Sequence, residues 1–312
     1  MKLSHFRDVL AVVETGSLRA AGRHLGVAQP AITRSIKELE RELGVTLFER
    51  HAKGIRLTEI GAKFVRRVEA FQNQLRLAQQ EVEQLKGRWV GEVSVALSTA
   101  TCMSLLPKAL ESFTKRHPDV VVKISESLFQ PIENDLASGK FDFWVGPLDP
   151  SGVSSQFAVE TLFENNRRVV ARKGHPLSSA SSLADLVDAH WVRPTLSTRN
   201  TEADFDGVFE RADLPPPRVM IHARSSLITI MAVANTDLLT MLPQQWFNFE
   251  AVASLLQAFD LIEPISAAPM CLVRSQGLPL TPMAEQFSDL IRKAANNHVL
   301  ERARERNALQ RL

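Results

Sequence analysis

LRAAGRHLGVAQPAITRSIKELEREL, residues 18–43, decides how the chain is read: a short helix, a turn at a glycine, and a second helix with two chemically different faces. In the second helix Ile32, Ile36, Leu39 and Leu43 recur at steps of four, three and four, forming one apolar stripe that can pack on a core. Gln29, Thr33, Arg34, Lys37 and Arg41 lie on the opposite side, where they can reach base edges or phosphates if the helix is laid in a major groove. Leu18, Ala21 and Leu25 supply the apolar side of the preceding helix, and Gly26 falls where the chain must turn sharply. Periodicity alone fits any amphipathic helix pair. Three additions favour a helix-turn-helix. Pro30 sits where the second helix should begin, a position at which proline forfeits no helical hydrogen bond. Arg50, Lys53 and Arg56 surround Gly54, as a two-stranded wing with a tight turn and phosphate-facing bases requires. Phe6, Val9, Leu10 and Val13 give a first helix its own apolar stripe and complete a three-helix core.

The run AQPAITRSIKELERELGVTLFERHAKGIRLTEIG (28–61), with GSLRAAGRHLGV (16–27) before it, resembles the N-terminal winged helix-turn-helix of the LysR-type transcriptional regulators. Gln29, Pro30, Ala31, Thr33 and Arg34 stand on that family's recognition-helix positions, and Arg50 stands where its wing begins. The family usually has serine or threonine immediately before the Gln-Pro pair; this chain has Ala28, which removes one side-chain cap and one phosphate contact. The expected base-reading residues are Gln29, Thr33 and Arg34, joined by Lys37. Ser17, Arg50, Lys53 and Arg56 are expected to hold the DNA backbone.

Charge is distributed to match. The 312 residues carry a net charge of only +2, but residues 1–88 hold sixteen Lys or Arg against ten Asp or Glu, a net of +6 that leaves −4 for the remainder. The basic part is therefore the part that carries the helix-turn-helix, as attraction to a polyanion demands. Cys102 and Cys271 are too few and too far apart for a disulfide framework or a zinc site, so a reducing cytoplasm is the expected setting. No secretion signal and no run of about eighteen apolar residues is present, so neither export nor a membrane span is expected.

Beyond residue 58 the pattern changes. Phe64, Val68, Phe71, Leu75, Ala78, Val82 and Leu85 alternate steps of four and three, a heptad seam on a helix that would run about 42 Å over residues 58–85. A long helix packed on its own domain fits this pattern. A narrow seam with polar residues on every other side favours a second identical helix as partner, hence a homodimer with two heads at fixed separation and double-stranded DNA with twofold-related half-sites as target.

Gly87 and Gly91 break that helix, and strand and helix patterns then alternate. Strands are expected at 92–97, 120–124, 141–145, 163–172, 191–193, 219–223, 238–242 and 270–274. Helices are expected at 105–116, 132–137, 183–187, 202–212, 227–234 and 246–256 and from Pro282 onward. Alternation implies parallel pairing and a layered α/β domain. The resemblance implies more: a two-lobed effector domain similar to type 2 periplasmic solute-binding proteins, with a small-molecule cleft between the lobes. A homodimer or homotetramer is the expected assembly. The expected division is a DNA-binding domain at 1–58, a linker and dimerisation helix at 59–87 and a regulatory domain at 88–312. Lobe I would be about 91–164 with 268–300, and lobe II about 165–267.

In open α/β sheets ligands bind outside the carboxyl ends of strands, beside helix N-termini. Ser98, Thr99 and Thr101 follow the first strand of this region; Thr195, Ser197, Thr198 and Arg199 follow one strand of the second lobe, and Ser225 and Ser226 another. Their hydroxyls can donate to a carboxylate, sulfonate or phenol, although hydroxyls at such places most often cap helices. Phe129, with Leu128 and Ile132, offers an apolar wall and fits ordinary core equally well. Nothing indicates catalysis: His175, His190 and His222 stand isolated, no phosphate-binding or nucleophile-elbow motif occurs, and the chain contains no tyrosine. No cofactor or metal is expected. The reading is a sequence-specific transcriptional regulator controlled by a small anionic or aromatic effector, with RNA polymerase as a further candidate partner. A constitutive architectural DNA binder without an effector is the alternative.

Overall fold

The computed structural model describes residues 1–51, 54–194 and 201–309. It divides into two compact units, Met1–Gln79 with Ser138–Lys140, and Gln80–Ala137 with Phe141–Leu312.

The first unit begins with α1 (Leu3–Thr15), α2 (Leu18–Leu25) and α3 (Gln29–Leu43). Val9, Val12, Ala21, Ile32, Ile36, Leu39 and Leu47 close a common core, so the apolar stripe of α3 is spent on folding and its other face is left to solvent. Gly26 ends α2 at φ 67°, the left-handed conformation that only glycine adopts cheaply. A two-stranded wing follows, β1 (Phe48–His51) antiparallel to β2 (Gly54–Leu57), with His51 opposite Gly54. α4 (Glu59–Leu85) begins as the sequence implies: Thr58 Oγ1 accepts from Gly61 N at 2.9 Å and donates to Thr46 O at 2.8 Å. Gly61 is obligatory, since a Cβ there would lie 2.1 Å from the carbonyl oxygen of Leu47.

The second unit contains β3 (Gly91–Leu97), α5 (Thr99–Ser104), α6 (Leu106–Arg116), β4 (Val120–Glu126), α7 (Phe129–Ala137), β5 (Phe143–Pro147) and β6 (Phe157–Arg172). It continues with β7 (His190–Pro194), α8 (Thr201–Arg211), β8 (Arg218–Ala223), α9 (Ser226–Ala234), β9 (Thr240–Pro243), α10 (Glu250–Leu255), β10 (Leu256–Ala258), β11 (Ile265–Ser275) and α11 (Pro282–Leu309). Strands β4, β3 and β5 are parallel, and β11 joins them antiparallel to β5. Successive residues face opposite layers. Val93, Val95, Phe143, Val145 and Leu272 meet Phe113 of α6 and Phe287 of α11, while Ala96, Trp144 and Val273 meet Phe129, Ile132 and Leu136 of α7. Phe143, Trp144 and Val145 of β5 form one apolar run because both faces of that strand are covered.

Strands β6 and β11 tie the two halves together. They pair antiparallel from Phe157↔Ser275 to Arg167↔Ile265, with register shifts between Ala267 and Met270 and between Met270 and Cys271. Beyond the shifts β6 takes β9 on one side and β10 on the other, and β7 pairs parallel with β8. A separate core of Val169, Leu183, Trp191, Phe205, Phe209 and Met241 fills this second lobe.

Several elements differ from the alternation read in the sequence. The β6, β9, β10 and β11 pairings are antiparallel, because the chain crosses between the lobes twice instead of winding in one direction. β6 begins six residues before the expected 163; Glu160 interrupts the apolar pattern of that missed segment, and pairing with β11 overrides its low strand propensity. The expected helices at 183–187 and 246–256 are a 3₁₀ turn at Leu183–Leu186 and a 3₁₀ turn at Gln244–Asn248 broken by an extended Phe249 before α10. The short α5 and β10 have too few residues to show a period.

Candidate DNA interface and effector cleft

The outward face of α3 forms a shallow groove of about 720 Å³ lined by Gln29, Pro30, Thr33, Arg34, Lys37, Glu38 and Arg41. Gln29, Pro30, Ala31, Arg34 and Lys37 are exposed and Thr33 is half-buried. Thr33 Oγ1 donates to Gln29 O at 3.1 Å, so its proton is engaged in the helix and its lone pairs remain for an incoming donor. Ala28 precedes the helix in extended conformation and provides no side-chain cap. Pro30 stands at the start of the helix, where no hydrogen bond is lost.

Further contacts hold the elements around α3 in this unit. Ser17 Oγ accepts from Ala20 N at 3.1 Å and caps α2. Glu40 Oε1 accepts from Leu47 N at 2.7 Å and from Phe48 N at 3.2 Å, which ties the back of α3 to the start of the wing. Arg56 is exposed on β2, opposite Glu49 in register. Arg50 lies on β1 opposite Ile55, and Lys53 lies outside the described residues.

In the second unit, Ser98 caps α5 and its hydroxyl meets Thr101 Oγ1 at 3.0 Å; Thr101 also donates to Val145 O at 3.0 Å. Both hydroxyls are buried and already bonded. Thr99 differs. Its Oγ1 lies 2.8 Å from Ser226 Oγ at the start of α9, and it donates to the carboxylate of Glu126 at the end of β4. Ser226 Oγ also reaches Glu126 Oε1, at 3.3 Å. Residues 127 positions apart in the chain thus meet where the two lobes face each other. Ser225 precedes α9 without a side-chain cap bond. Cys102, on α5, has its thiol pushed up to about 11 by burial and by the Glu126 charge. Phe129 is a core residue, its ring 5.4 Å from that of Trp144 and 5.3 Å from that of Phe157. Ser197, Thr198 and Arg199, with Thr195, lie outside the described residues.

At the crossing strands, Asn165 of β6 is 2% exposed and Gln245, two residues beyond the Arg167↔Pro243 pair, is 1% exposed. Neither side-chain amide has a partner among the described residues. Among those residues no group of three or more His, Cys, Asp or Glu is placed to hold a metal ion, and no helix is long and apolar enough to cross a membrane.

Comparison with known proteins follows this division. Residues 3–62 match the model of the bacterial regulatory helix-turn-helix protein, lysR family, and residues 86–296 match the LysR substrate binding domain. The chain belongs to the LysR family. It is 27% identical over 299 residues to the HTH-type transcriptional regulator GbpR of Azospirillum brasilense, covering 95% of this chain and 87% of that one. It is 28% identical over 281 residues to the HTH-type transcriptional regulator GalR of Pseudomonas putida, covering 90% and 70%. Full-length CbnR complexed with its target DNA shares the fold, with a TM-score of 0.69 at 19% identity over 94% of this chain and all of that one. This LysR-type protein is therefore a DNA-binding transcriptional regulator with an effector-binding domain, a family of regulators rather than of enzymes.

Three residues of this LysR-type regulator escaped the sequence reading. Glu126 closes the run VVVKISE at the carboxyl end of a strand, so the rule that selected Ser98 also points to it. Glu40 reads as an ordinary solvated glutamate within α3. Gln84, almost fully buried, accepts from Met283 N at 3.1 Å, a bond across 199 residues that no local pattern signals.

Proposed function

We propose that this regulator binds DNA with twofold-related half-sites as a homodimer or homotetramer and responds to a small molecule held between the two lobes of its effector domain. Gln29, Thr33 and Arg34, with Pro30, Ala31 and Lys37 beside them, are the base-reading set; Ser17, Arg50, Lys53 and Arg56 hold the phosphates. One observation carries the reading: α3 spends Ile32, Ile36 and Leu39 on the core and turns Gln29, Thr33, Arg34, Lys37 and Arg41 outward into a groove that Pro30 and Glu38 also line.

The division proposed is a head at 1–58, a connecting helix at 59–87 and a sensor at 88–312, its lobes exchanging near 164 and 268. The effector belongs to the carboxylate, sulfonate or phenol class, with Thr99, Ser225 and Ser226 among its contacts and Ser98 and Thr101 holding the loop that presents Thr99. RNA polymerase is the partner through which DNA occupancy changes transcription, and the cytoplasm is the setting. A constitutive architectural binder is disfavoured because the match to a substrate-binding model covers residues 86–296.

Selection of a binding site from random duplexes, followed by footprinting with and without candidate effectors, tests both halves. Arg34→Ala should lose discrimination at one base pair by about 1–3 kcal/mol while its circular dichroism stays native. A variant that retains the full sequence preference refutes the assignment of α3 as the reading helix. Footprints that no stabilising ligand alters refute the coupling.

A further inference from the structure

Glu126 ends β4, and its carboxylate accepts from two hydroxyls that come from opposite lobes, Thr99 and Ser226. The two hydroxyls also touch each other at 2.8 Å, so three polar side chains form the contact between lobes at this point. An ionised carboxylate offers acceptors only. A ligand that enters here must therefore bring a donor to replace the hydroxyl it displaces. Glu126 is exposed, so an anionic group entering here would meet a like charge that water screens but that stands at contact distance. Asn165 and Gln245, unpartnered among the described residues, offer amide donors and acceptors; Arg167, largely buried, stands two residues from Asn165 on β6, and the 3₁₀ turn bearing Gln245 packs on α5. A hydroxyl group, at once donor and acceptor, matches amides and carboxylate alike.

We propose that Glu126 sets the specificity of the cleft, admitting a neutral, hydroxyl-bearing effector and rejecting carboxylates and sulfonates. The inference rests on the effector reading above and narrows it to its hydroxyl-donating class. The effector's hydroxyl takes the place of Ser226 at the carboxylate, so that the ligand, rather than a direct serine contact, links the lobes.

The test uses the full-length protein and aromatic probes of similar size, catechol against benzoate and phenol against benzenesulfonate, read by thermal shift and titration calorimetry. The expected result is that wild type binds a hydroxyl probe at least tenfold more tightly than its anionic mate. Glu126→Gln should shift that ratio at least tenfold toward the anion, and Glu126→Asp, which keeps the charge, should retain the preference. An anion bound as tightly as its mate, with a ratio unchanged in Glu126→Gln, overturns the inference while leaving the cleft reading intact. Silence of wild type and Glu126→Gln toward all four probes overturns both.

Discussion

Arg34 and Arg56 are both exposed arginines of the first unit, and their expected roles separate by measurement. Arg34 rises from the groove face of α3 and is proposed to meet a base edge; Arg56 rises from the wing strand and is proposed to meet a phosphate. Arg56→Ala should weaken binding to all sequences alike and lower the slope of log affinity against log salt by about one, as measured by fluorescence anisotropy across a salt series. A change confined to one base pair would move Arg56 into the reading set. Cys102 gives a pH prediction. Its thiol is raised from an ordinary 9.0 to about 11, burial first and Glu126 second. Between those values the unfolded chain has lost the proton that the folded chain keeps, so unfolding free energy falls as pH rises from about 9 and the contribution is gone above about 11. Cys102→Ala should flatten that part of a thermal-melting series against pH.

α4 is the element whose packing is unfinished in a single chain. Val65, Val68 and Leu77 are buried, whereas Phe71 at 47%, Leu75 at 40%, Val82 at 50% and Leu85 at 73% remain exposed along the heptad seam. Phe6 covers only part of Phe71, ring to ring at 5.8 Å. Apolar side chains repeating every three or four residues over a helix about 40 Å long find their natural cover in an identical helix. Leu75→Asp with Val82→Asp places charges opposite each other in that seam. Sedimentation velocity should show the double variant at half the wild-type mass or with a dissociation constant raised at least a hundredfold, and DNA affinity should fall with it. An unchanged sedimentation coefficient would assign the dimer contact elsewhere. The α3 helix shows the opposite case: its periodic residues Ile32, Ile36 and Leu39 are satisfied within the unit, and its polar face is what remains for DNA.

At the scale of the whole molecule, the division between units falls inside α4, between Gln79 and Gln80, and not at the Gly87–Gly91 break that punctuates the sequence. Gln84 explains why: its buried side chain accepts from Met283 N in the first turn of α11 and donates to Val90 O at 3.4 Å. A fragment of residues 80–312 should therefore be more stable than one of 88–312 by about 1–2 kcal/mol, the usual worth of such a cap, in urea melts of both. Equal stability would make the last turns of α4 dispensable to the sensor. The sequence by itself determined the helix-turn-helix, the wing, the long seam and most α/β elements, because each rests on short-range regularities: a 3.6-residue period, a first-turn proline, a cap hydroxyl at Thr58, a glycine at a turn. It also marked Thr99, Ser225 and Ser226 by their place after strands. Only the tertiary structure decided that Ser98 and Thr101 hydroxyls are already bonded, that Phe129 is core, that β6 and β11 cross antiparallel, and that Glu126 joins Thr99 and Ser226. Those facts depend on residues tens to hundreds of positions apart meeting in space, where a side chain's partner is set by which strands pair and which helices cover them, and no local pattern encodes that choice.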